Sequence, residues 1–324
     1  MKRTADSAQD IVDLDTRFGI AGAARVVSGN NGLAKVVVSA PDSQGEIYLH
    51  GAHVTSWVRK STGDVLYVSP SSLWEDGGAI RGGVPVSFPW FADKANDPAA
   101  PAHGFVRTKA WQLDSIKIDG AAVTVSLFTE SDEETRKWWP FDFRVVCRAT
   151  FGIQLKIELT VTNPGTLPFS FEEALHAYFR VGNAETGFVR GLEATEFIDK
   201  TDQHTIKTQS GDLRIKSETD SVYLNTQHQL ELFDPVLERR ITIQKQNSYT
   251  TVVWNPWAEK SCLMGDLGAD RWKDFVCLET SNVSPFAVKL NPGQQHTLAA
   301  VVEANLLAGS LLPNSAETEP NKYL

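Results

Sequence analysis

The clearest alternation of apolar and polar positions lies between residues 171 and 181, and it predicts one β-strand. One set of alternate positions is mostly carbon-rich or small: Phe171, Glu173, Leu175, Ala177, Phe179 and Val181. The other set is mostly polar: Glu172, Ala174, His176, Tyr178 and Arg180. Ionisable side chains of this kind suit the floor of a polar cleft on a rigid sheet. For His176 alone, a half-buried structural histidine is the alternative.

Further segments of strand character run through the chain, separated by Asn-Gly, Ser-Gly-Asp and Pro-Gly turn signals. They are residues 35–39, 46–49, 54–58, 65–68, 110–118, 122–130, 143–151, 155–162, 169–181, 187–192, 229–233, 241–246, 249–254, 275–280 and 296–304. Long helical periodicity is nearly absent, so the pattern predicts an all-β fold, a large two-sheet sandwich, and disfavours a βαβ fold. The polar start predicts a short helix, with Ser7 and Asp10 at capping-box-like spacing.

No repeat and no Pro/Gly/Ser linker divides the chain, so we expect a single domain over residues 17–306. Residues 1–16 would form a lead-in. Residues 307–324, rich in Ser, Asn, Glu and Pro, would form a loose tail.

Composition restricts the partners and the compartment. The chain has 324 residues, 42% of them hydrophobic, and a net charge of −9, which argues against nucleic acid or an anionic membrane as a partner. No apolar run approaches the ~20 residues of a membrane span, and the start lacks the apolar region of a secretory signal. Cys147, Cys262 and Cys277 lack C-x-x-C spacing, so we expect reduced thiols that fill apolar space in strands, no zinc site and a cytoplasmic location.

Two segments carry arginines in contexts that suit a ligand. Arg81 precedes two glycines, which let backbone approach a ligand closely, and the segment 79–91 ends in an aromatic trio that resembles a stacking wall. A rigid structural loop is the alternative. His103 and Arg107 share parity if 101–107 is a strand, so both can face one cleft, and the fork of Arg suits a phosphate or two sugar hydroxyls. A surface position is the alternative for either residue.

Three further residues are candidates. Glu279 shares a strand face with Cys277 and Phe275, so partial desolvation should raise its pKa, as a general base requires. A strand-end carboxylate paired with Lys or Arg is the alternative. Asp199 could bind sugar hydroxyls, and Trp254 could stack on a pyranose ring, although core packing explains a tryptophan nearly as well.

A series of short motifs runs in one order through the chain: residues 50–57 (HGAHVTSW), 80–85 (IRGGVP) with 88–89 (FP), 103–107 (HGFVR), 173–179 (EALHAYF), 197–200 (FIDK), 253–257 (VWNPW), 276–279 (VCLE) and 290–293 (LNPG). By these motifs the chain, from about residue 17 to residue 304, resembles the aldose 1-epimerase (galactose mutarotase-like) superfamily, and within it the glucose-6-phosphate 1-epimerase, or hexose-6-phosphate mutarotase, branch. One departure is Ala102, where the family often has Gln before the His-Gly pair.

The resemblance implies a β-supersandwich with an open cleft and no metal or organic cofactor. It implies that Glu279 is the general base at the anomeric hydroxyl and that His176 is the acid at the ring oxygen, with His103 assisting. It also implies that Asp199 binds hydroxyls and that Arg81 and Arg107 face the phosphate.

We therefore expect a monomer that interconverts the anomers of a hexose 6-phosphate, glucose 6-phosphate above others, with that small sugar phosphate as its partner. One alternative is a mutarotase of unphosphorylated aldoses. The arginine set Arg81, Arg107 and Arg59, which is nearby in sequence, favours a phosphate dianion instead. The other alternative is a non-catalytic sugar-binding sandwich, and the presence of both His176 and Glu279 argues against it.

Overall fold

The computed structural model describes residues 8–307, and strands dominate the regular structure in that range. The helices are α1 Ala8–Phe18, α2 Glu133–Trp138 and α3 Trp257–Cys262, with 3-10 turns at Asn30–Gly32, Val106–Thr108 and Arg271–Asp274. The first twelve strands are β1 Ala24–Ser28, β2 Ala34–Ala40, β3 Ser43–Tyr48, β4 His53–Arg59, β5 Gly63–Asp64, β6 Val86–Ser87, β7 Gln112–Asp119, β8 Ala122–Glu130, β9 Arg144–Phe151, β10 Leu155–Thr162, β11 Phe169–Phe171 and β12 Glu173–Leu175. The remaining strands are β13 Tyr178–Arg180, β14 Phe188–Arg190, β15 Glu196–Asp199, β16 Thr205–Thr208, β17 Thr219–Leu224, β18 Leu230–Asp234, β19 Arg239–Gln246, β20 Thr250–Asn255, β21 Phe275–Asn282, β22 Val288–Leu290 and β23 Gln295–Leu306. None of the helices in the described range has the length and apolar character that a membrane crossing requires.

Two eight-stranded sheets form the body of the fold, which confirms the all-β prediction. The first, the back sheet, has the order β14-β18-β19-β23-β10-β9-β8-β7. The second, the cleft sheet, has the order β16-β15-β17-β20-β21-β12-β6, and β13 also pairs with β21. A five-stranded sheet, β1 to β5, and the small pair β11 and β22 accompany them. Each strand pairing in the two large sheets is antiparallel.

The core lies between the sheets because strand side chains alternate. In β10 the buried positions are Leu155, Ile157, Leu159 and Val161, with half-exposed polar residues between them. The same apolar cluster includes Leu175 and Leu278 of the cleft sheet. Burying each such side chain contributes about 1.5–3 kcal/mol, and this burial fixes which faces of the strands are left for the cleft.

The helix predicted at the start of the chain is present as α1. Ile11 is buried and Phe18 packs against the core, while Asp15 accepts hydrogen bonds from the side chain of Arg25 and the backbone of β1. The helix continues through the boundary expected between residues 16 and 17. Ser7, and nearly all of the tail predicted over 307–324, lie outside the described residues.

The prediction of one continuous strand from 171 to 181 is wrong, because the ladder breaks twice. The backbone N–H groups of Glu172 and His176 donate to the carbonyls of Pro89 and Pro85, which belong to a neighbouring loop. Three short strands, β11, β12 and β13, result. The chain stays extended, so the predicted division into two faces survives: Leu175 and Phe179 lie in the main core, and Tyr178 lies in a separate buried cluster.

Two smaller predictions also need correction. Residues 65–68 form isolated bridges at Leu66 and Val68, not a strand. Cys147 and Cys277 are buried in strands as predicted, but Cys262 is exposed. It lies at the surface because it ends the short helix α3, next to the largely exposed Leu263.

Candidate active site

His176 and Glu279 face each other across neighbouring strands of the cleft sheet. The pairing of β12 and β13 with β21 keeps one register across the break between Leu175 and Tyr178, and this register sets His176 opposite Glu279. The Nε2 atom of His176 lies 3.3 Å from the Oε1 atom of Glu279, and both side chains are buried. An ionisable pair is therefore held in place by the sheet itself.

The surroundings of this pair favour uncharged forms. Burial raises the pKa of Glu279 well above its ordinary range, and the charge of Asp220 adds to the rise. Burial lowers the pKa of His176 to about 3, with further contributions from Arg107 and Arg81. Within the described part of the chain, both carboxylate oxygens of Glu279 and the Nδ1 atom of His176 lack a hydrogen-bond partner. Unpartnered polar atoms of this kind are available to a polar ligand.

His103 reaches the same cleft from a turn, with its ring centre 5.5 Å from that of His176, and residues 101–107 do not form a strand. Its φ of 62° and that of Gly104, 72°, are both left-handed, and a Cβ on Gly104 would lie 1.8 Å from the carbonyl oxygen of Phe88. The Nδ1 atom of His103 accepts the backbone N–H of Ala92 at 3.4 Å. Burial lowers the pKa of His103 well below its ordinary value, so the neutral ring carries its hydrogen on Nε2.

Arg81 is held by two partners at the edge of the cleft. Its Nε and Nη2 atoms donate to Oδ2 of Asp266 at 2.9 and 2.8 Å, and its Nη1 atom donates to the hydroxyl of Tyr178 at 3.1 Å. These bonds use three of the five guanidinium hydrogens. Since the side chain is 24% exposed, the other two can meet a ligand.

Two histidines fix the loop that carries Arg81. The Nε2 atoms of His50 and His53 each lie 2.6 Å from a backbone carbonyl, of Gly78 and Gly82 respectively. Because a carbonyl only accepts, both imidazoles donate from Nε2. Burial lowers the pKa of His53 to about 3, so its ring is neutral. The sequence carried no signal of this role, because the partners are backbone atoms 28 and 29 positions away.

Arg107 lies in the 3-10 turn Val106–Thr108 and is half-buried. Its Nη2 atom donates to the carbonyl of Ala102 at 2.8 Å, while its buried Nε atom has no partner among residues 8–307. Burial lowers the pKa of Arg107 to about 10. The bond to residue 102 uses the backbone, so the departure from Gln at Ala102 does not affect it.

Aromatic rings line the cleft beside the ionisable pair. Trp254 presents its edge to His176 with ring centres 6.1 Å apart, and Tyr178 stacks on His176 at 4.9 Å. Trp254 is partly buried against the cluster that contains Tyr178 and Phe275. The structure thus places Trp254 next to His176, where a sugar ring could contact it.

The aromatic trio at residues 88–91 is only partly a wall of the cleft. Phe88 and Trp90 are buried in the main core, which corrects the stacking-wall interpretation for both. Phe91 alone of the three meets the site, with its ring 4.7 Å from that of His103. Phe88 and Trp90 lie on one side of the extended chain, the side that faces the core, and Phe91 lies on the other.

Asp199 is not brought to the cleft. Its neighbour Ile198 packs in an apolar cluster with Val252, the residue paired with Glu279, so Asp199 lies on the other face of β15. Its carboxylate accepts from Lys207 at 2.8 Å.

The next residue, Lys200, and the acidic Asp220 take the place expected for Asp199. Lys200 Nζ lies 3.6 Å from Asp220 Oδ1 and 4.9 Å from the ring centre of Phe91. Asp220 pairs with Trp254 in the sheet, so the two side chains share a face. Sequence reasoning missed this pair, because it did not predict the strand β15, whose alternation puts Ile198 and Lys200 on the cleft face and Asp199 on the other.

Arg59 lies at the far end of β4 from His53, roughly 20 Å away along an extended strand. Its guanidinium stands 6.0 Å from the ring centre of Trp57, and its buried Nε and Nη1 atoms have no partner within residues 8–307. No contact between described residues joins Arg59 to Arg81 or Arg107. Its prediction as a phosphate contact therefore receives no support from its position.

Comparisons with known proteins agree with this fold. A family model described as Aldose 1-epimerase matches residues 35–302. A relative from Escherichia coli (strain K12), named "Putative glucose-6-phosphate 1-epimerase", is 37% identical over 254 residues, covering 78% of this chain and 84% of the relative. A relative of the same name from Cenchrus ciliaris is 31% identical over 304 residues, covering 90% and 91%. The crystal structure of "a putative mutarotase" from Salmonella typhimurium superposes with a TM-score of 0.83 at 31% identity, covering 89% of this chain and 96% of that one.

Proposed function

This chain belongs to the aldose 1-epimerase family, and we propose that it interconverts the α and β anomers of a hexose 6-phosphate, with glucose 6-phosphate as its main substrate. One observation carries the proposal: a buried His–Glu pair, His176 and Glu279, stands beside Arg107, whose buried Nε atom lacks a partner in the described chain. The pair supplies an acid and a base. The arginines supply a site for an anion.

The reaction needs two proton transfers on atoms bonded to the same carbon. Glu279, as a carboxylate, takes the proton of the O1 hydroxyl while His176, as an imidazolium, gives a proton to O5. The C1–O5 bond breaks and C1=O forms. Rotation about C1–C2 and closure with the roles reversed give the other anomer. The raised pKa of Glu279 suits a base that must return its proton.

Other side chains would position the sugar so that its O1 and O5 atoms lie next to this pair. His103, neutral and with its Nε2–H free of the bonds made by Nδ1, donates a hydrogen bond near the ring oxygen. Asp220 and Lys200 offer an acceptor and a donor for ring hydroxyls, in place of Asp199. Trp254 packs against the sugar.

The phosphate would lie against Arg81 and Arg107. Arg81 has two guanidinium hydrogens to give, and Arg107 has an unpartnered Nε–H. Charge-assisted contacts of this kind contribute about 1.5–3 kcal/mol each. The names of the relatives from Escherichia coli and Cenchrus ciliaris also support a phosphorylated hexose.

Exchange NMR between the two anomers tests the proposal, with purified protein and three sugars: glucose 6-phosphate, galactose 6-phosphate and free glucose. We expect exchange well above the spontaneous rate, fastest for glucose 6-phosphate. Equal acceleration of free glucose would favour a mutarotase of unphosphorylated aldoses. No acceleration of any of the three sugars would show a binding domain without turnover.

A further inference from the structure

While Glu279 holds its proton, positive charge outweighs negative charge around His176. The charged or titratable groups that face it are Arg81, Arg107, Lys200 and His103, together with the carboxyl groups of Glu279, Asp220 and Asp266. Asp266 pairs with Arg81, and Asp220 lies 3.6 Å from Lys200. Arg107 makes no ion pair with a described residue, so its charge is left unbalanced while Glu279 is protonated.

Tyr178 connects His176 to Arg81. Its ring lies on the imidazole with centres 4.9 Å apart and planes 12° apart, and its hydroxyl accepts the Nη1–H of Arg81 at 3.1 Å. Burial raises the pKa of Tyr178, so the hydroxyl keeps its own proton. An anion that contacts Arg81 is therefore separated from His176 by a single aromatic ring.

The arginines oppose the charged form of the acid. After burial, Arg107 and Arg81 are the main causes that lower the pKa of His176. For Glu279, the charges of Asp220 and Lys200 act more strongly than that of Arg107. A neutral imidazole is a poor proton donor, so the arginines that attract a phosphate also suppress the form of His176 that the reaction uses.

We propose that a doubly charged oxyanion held by Arg81 and Arg107 switches His176 into its proton-donating form, so that a free oxyanion activates the anomerisation of unphosphorylated hexoses. The inference rests on the proposed function, which assigns the two arginines to the phosphate. A dianion offsets both guanidinium charges, and each unit by which the pKa of His176 then rises increases its protonated fraction about tenfold. The phosphate thereby acts on the chemistry as well as on binding.

Phosphite dianion is the probe, because it carries the charge of the phosphate group without a sugar. The rate of anomer exchange of free glucose is measured by NMR with increasing phosphite, after subtraction of the enzyme-free rate. Potassium chloride at equal ionic strength is the control for screening. We expect a saturable rise of about tenfold or more. Arg107→Ala should abolish the rise, and Arg180→Ala, which removes an arginine paired with Asp64 outside the cleft, should keep it.

The outcomes separate this inference from the proposed function. If phosphite competes with glucose 6-phosphate but leaves the exchange rate of free glucose unchanged, the switch is refuted and the anion site stands. If phosphite does not compete, and Arg107→Ala converts glucose 6-phosphate at the wild-type rate, the anion site is refuted as well.

Discussion

The carboxylate of Asp220 lies 3.6 Å from the ammonium group of Lys200, on the face of the cleft sheet that also carries Glu279. The charge of Asp220 helps to hold the pKa of Glu279 above its ordinary range, after burial. Asp199, only one residue before Lys200, lies on the opposite face. The two aspartates therefore form a matched pair for experiment.

Asp220→Asn should lower the pKa of Glu279, because it removes a negative charge that disfavours the carboxylate. The base would then remain ionised to lower pH, and the acid limb of the rate–pH profile should move to lower pH. Exchange NMR on glucose 6-phosphate between about pH 4 and pH 8 measures this limb. Asp199→Asn is the control and should leave the limb in place. A shift of equal size in both variants would contradict the assignment of Asp220.

Glu279→Gln and His176→Asn should each slow anomer exchange by roughly 10²–10⁴-fold, because each removes one proton-transfer group. Binding of glucose 6-phosphate should persist, since Arg81 and Arg107 remain. Saturation-transfer NMR measures the rate and calorimetry measures the binding. If both variants stay folded and exchange at nearly the wild-type rate, the pair has only a structural role.

Arg81→Ala and Arg107→Ala should each weaken glucose 6-phosphate binding by about 1.5–3 kcal/mol and free glucose binding by much less. The reason is that a guanidinium gains most from a dianion. Calorimetry with both sugars measures the difference, and Arg180→Ala provides a surface arginine for comparison. Equal losses for the two sugars would show that these arginines do not contact the phosphate.

Gly104→Ala should destabilise the protein by at least about 1–3 kcal/mol, since it combines a left-handed φ with a clash against the Phe88 carbonyl. It should also slow exchange by displacing His103. Gly120→Ala is the matched control, because Gly120 has a φ of 57° but a Cβ added there would meet no atom within 4 Å. Thermal unfolding compares the two variants. The steric argument fails if they lose the same stability.

His53 should make folding sensitive to acid. Its pKa in the folded chain is about 3, against 6.5 ordinarily, so below pH 6.5 the unfolded chain takes up a proton that the folded chain refuses. Above pH 6.5 His53 does not affect the free energy of unfolding. Between pH 6.5 and pH 3 it lowers that free energy by ~1.4 kcal/mol for each unit by which the pH falls. His53→Gln keeps a donor for the Gly82 carbonyl and should make the decline shallower. Urea unfolding at several pH values checks this, and an unchanged slope would disprove it.

The alternation of apolar and polar residues along strands predicted which face of its strand each of these side chains lies on. It separated the core side of residues 171–181 from the side that carries His176, and it placed Glu279 on the face of Cys277. These results follow from a two-residue period that no distant partner can change without unfolding the sheet.

Alternation alone does not predict turns or contacts between residues that are distant in the sequence. Whether Asp199 or Lys200 faces the cleft depends on the pairing of β15 with β17, which the sequence did not reveal. The break at His176 depends on the carbonyl of Pro85, which lies far earlier in the chain. Arg59 was grouped with Arg81 by nearness in sequence, but a straight strand carries it away from the loop. Each case depends on a partner that a single sequence does not reveal.

The unbroken register between β21 and the strands on either side of His176 has a bearing on turnover. The separation of the acid and the base is set by the spacing of adjacent strands, about 4.8 Å between backbones, and not by a mobile loop. No domain closure is needed to bring them together. The entropic cost of aligning the two groups arises once, when the chain folds. It is not repeated in each turnover, because every sugar binds to a pair that is already preorganised.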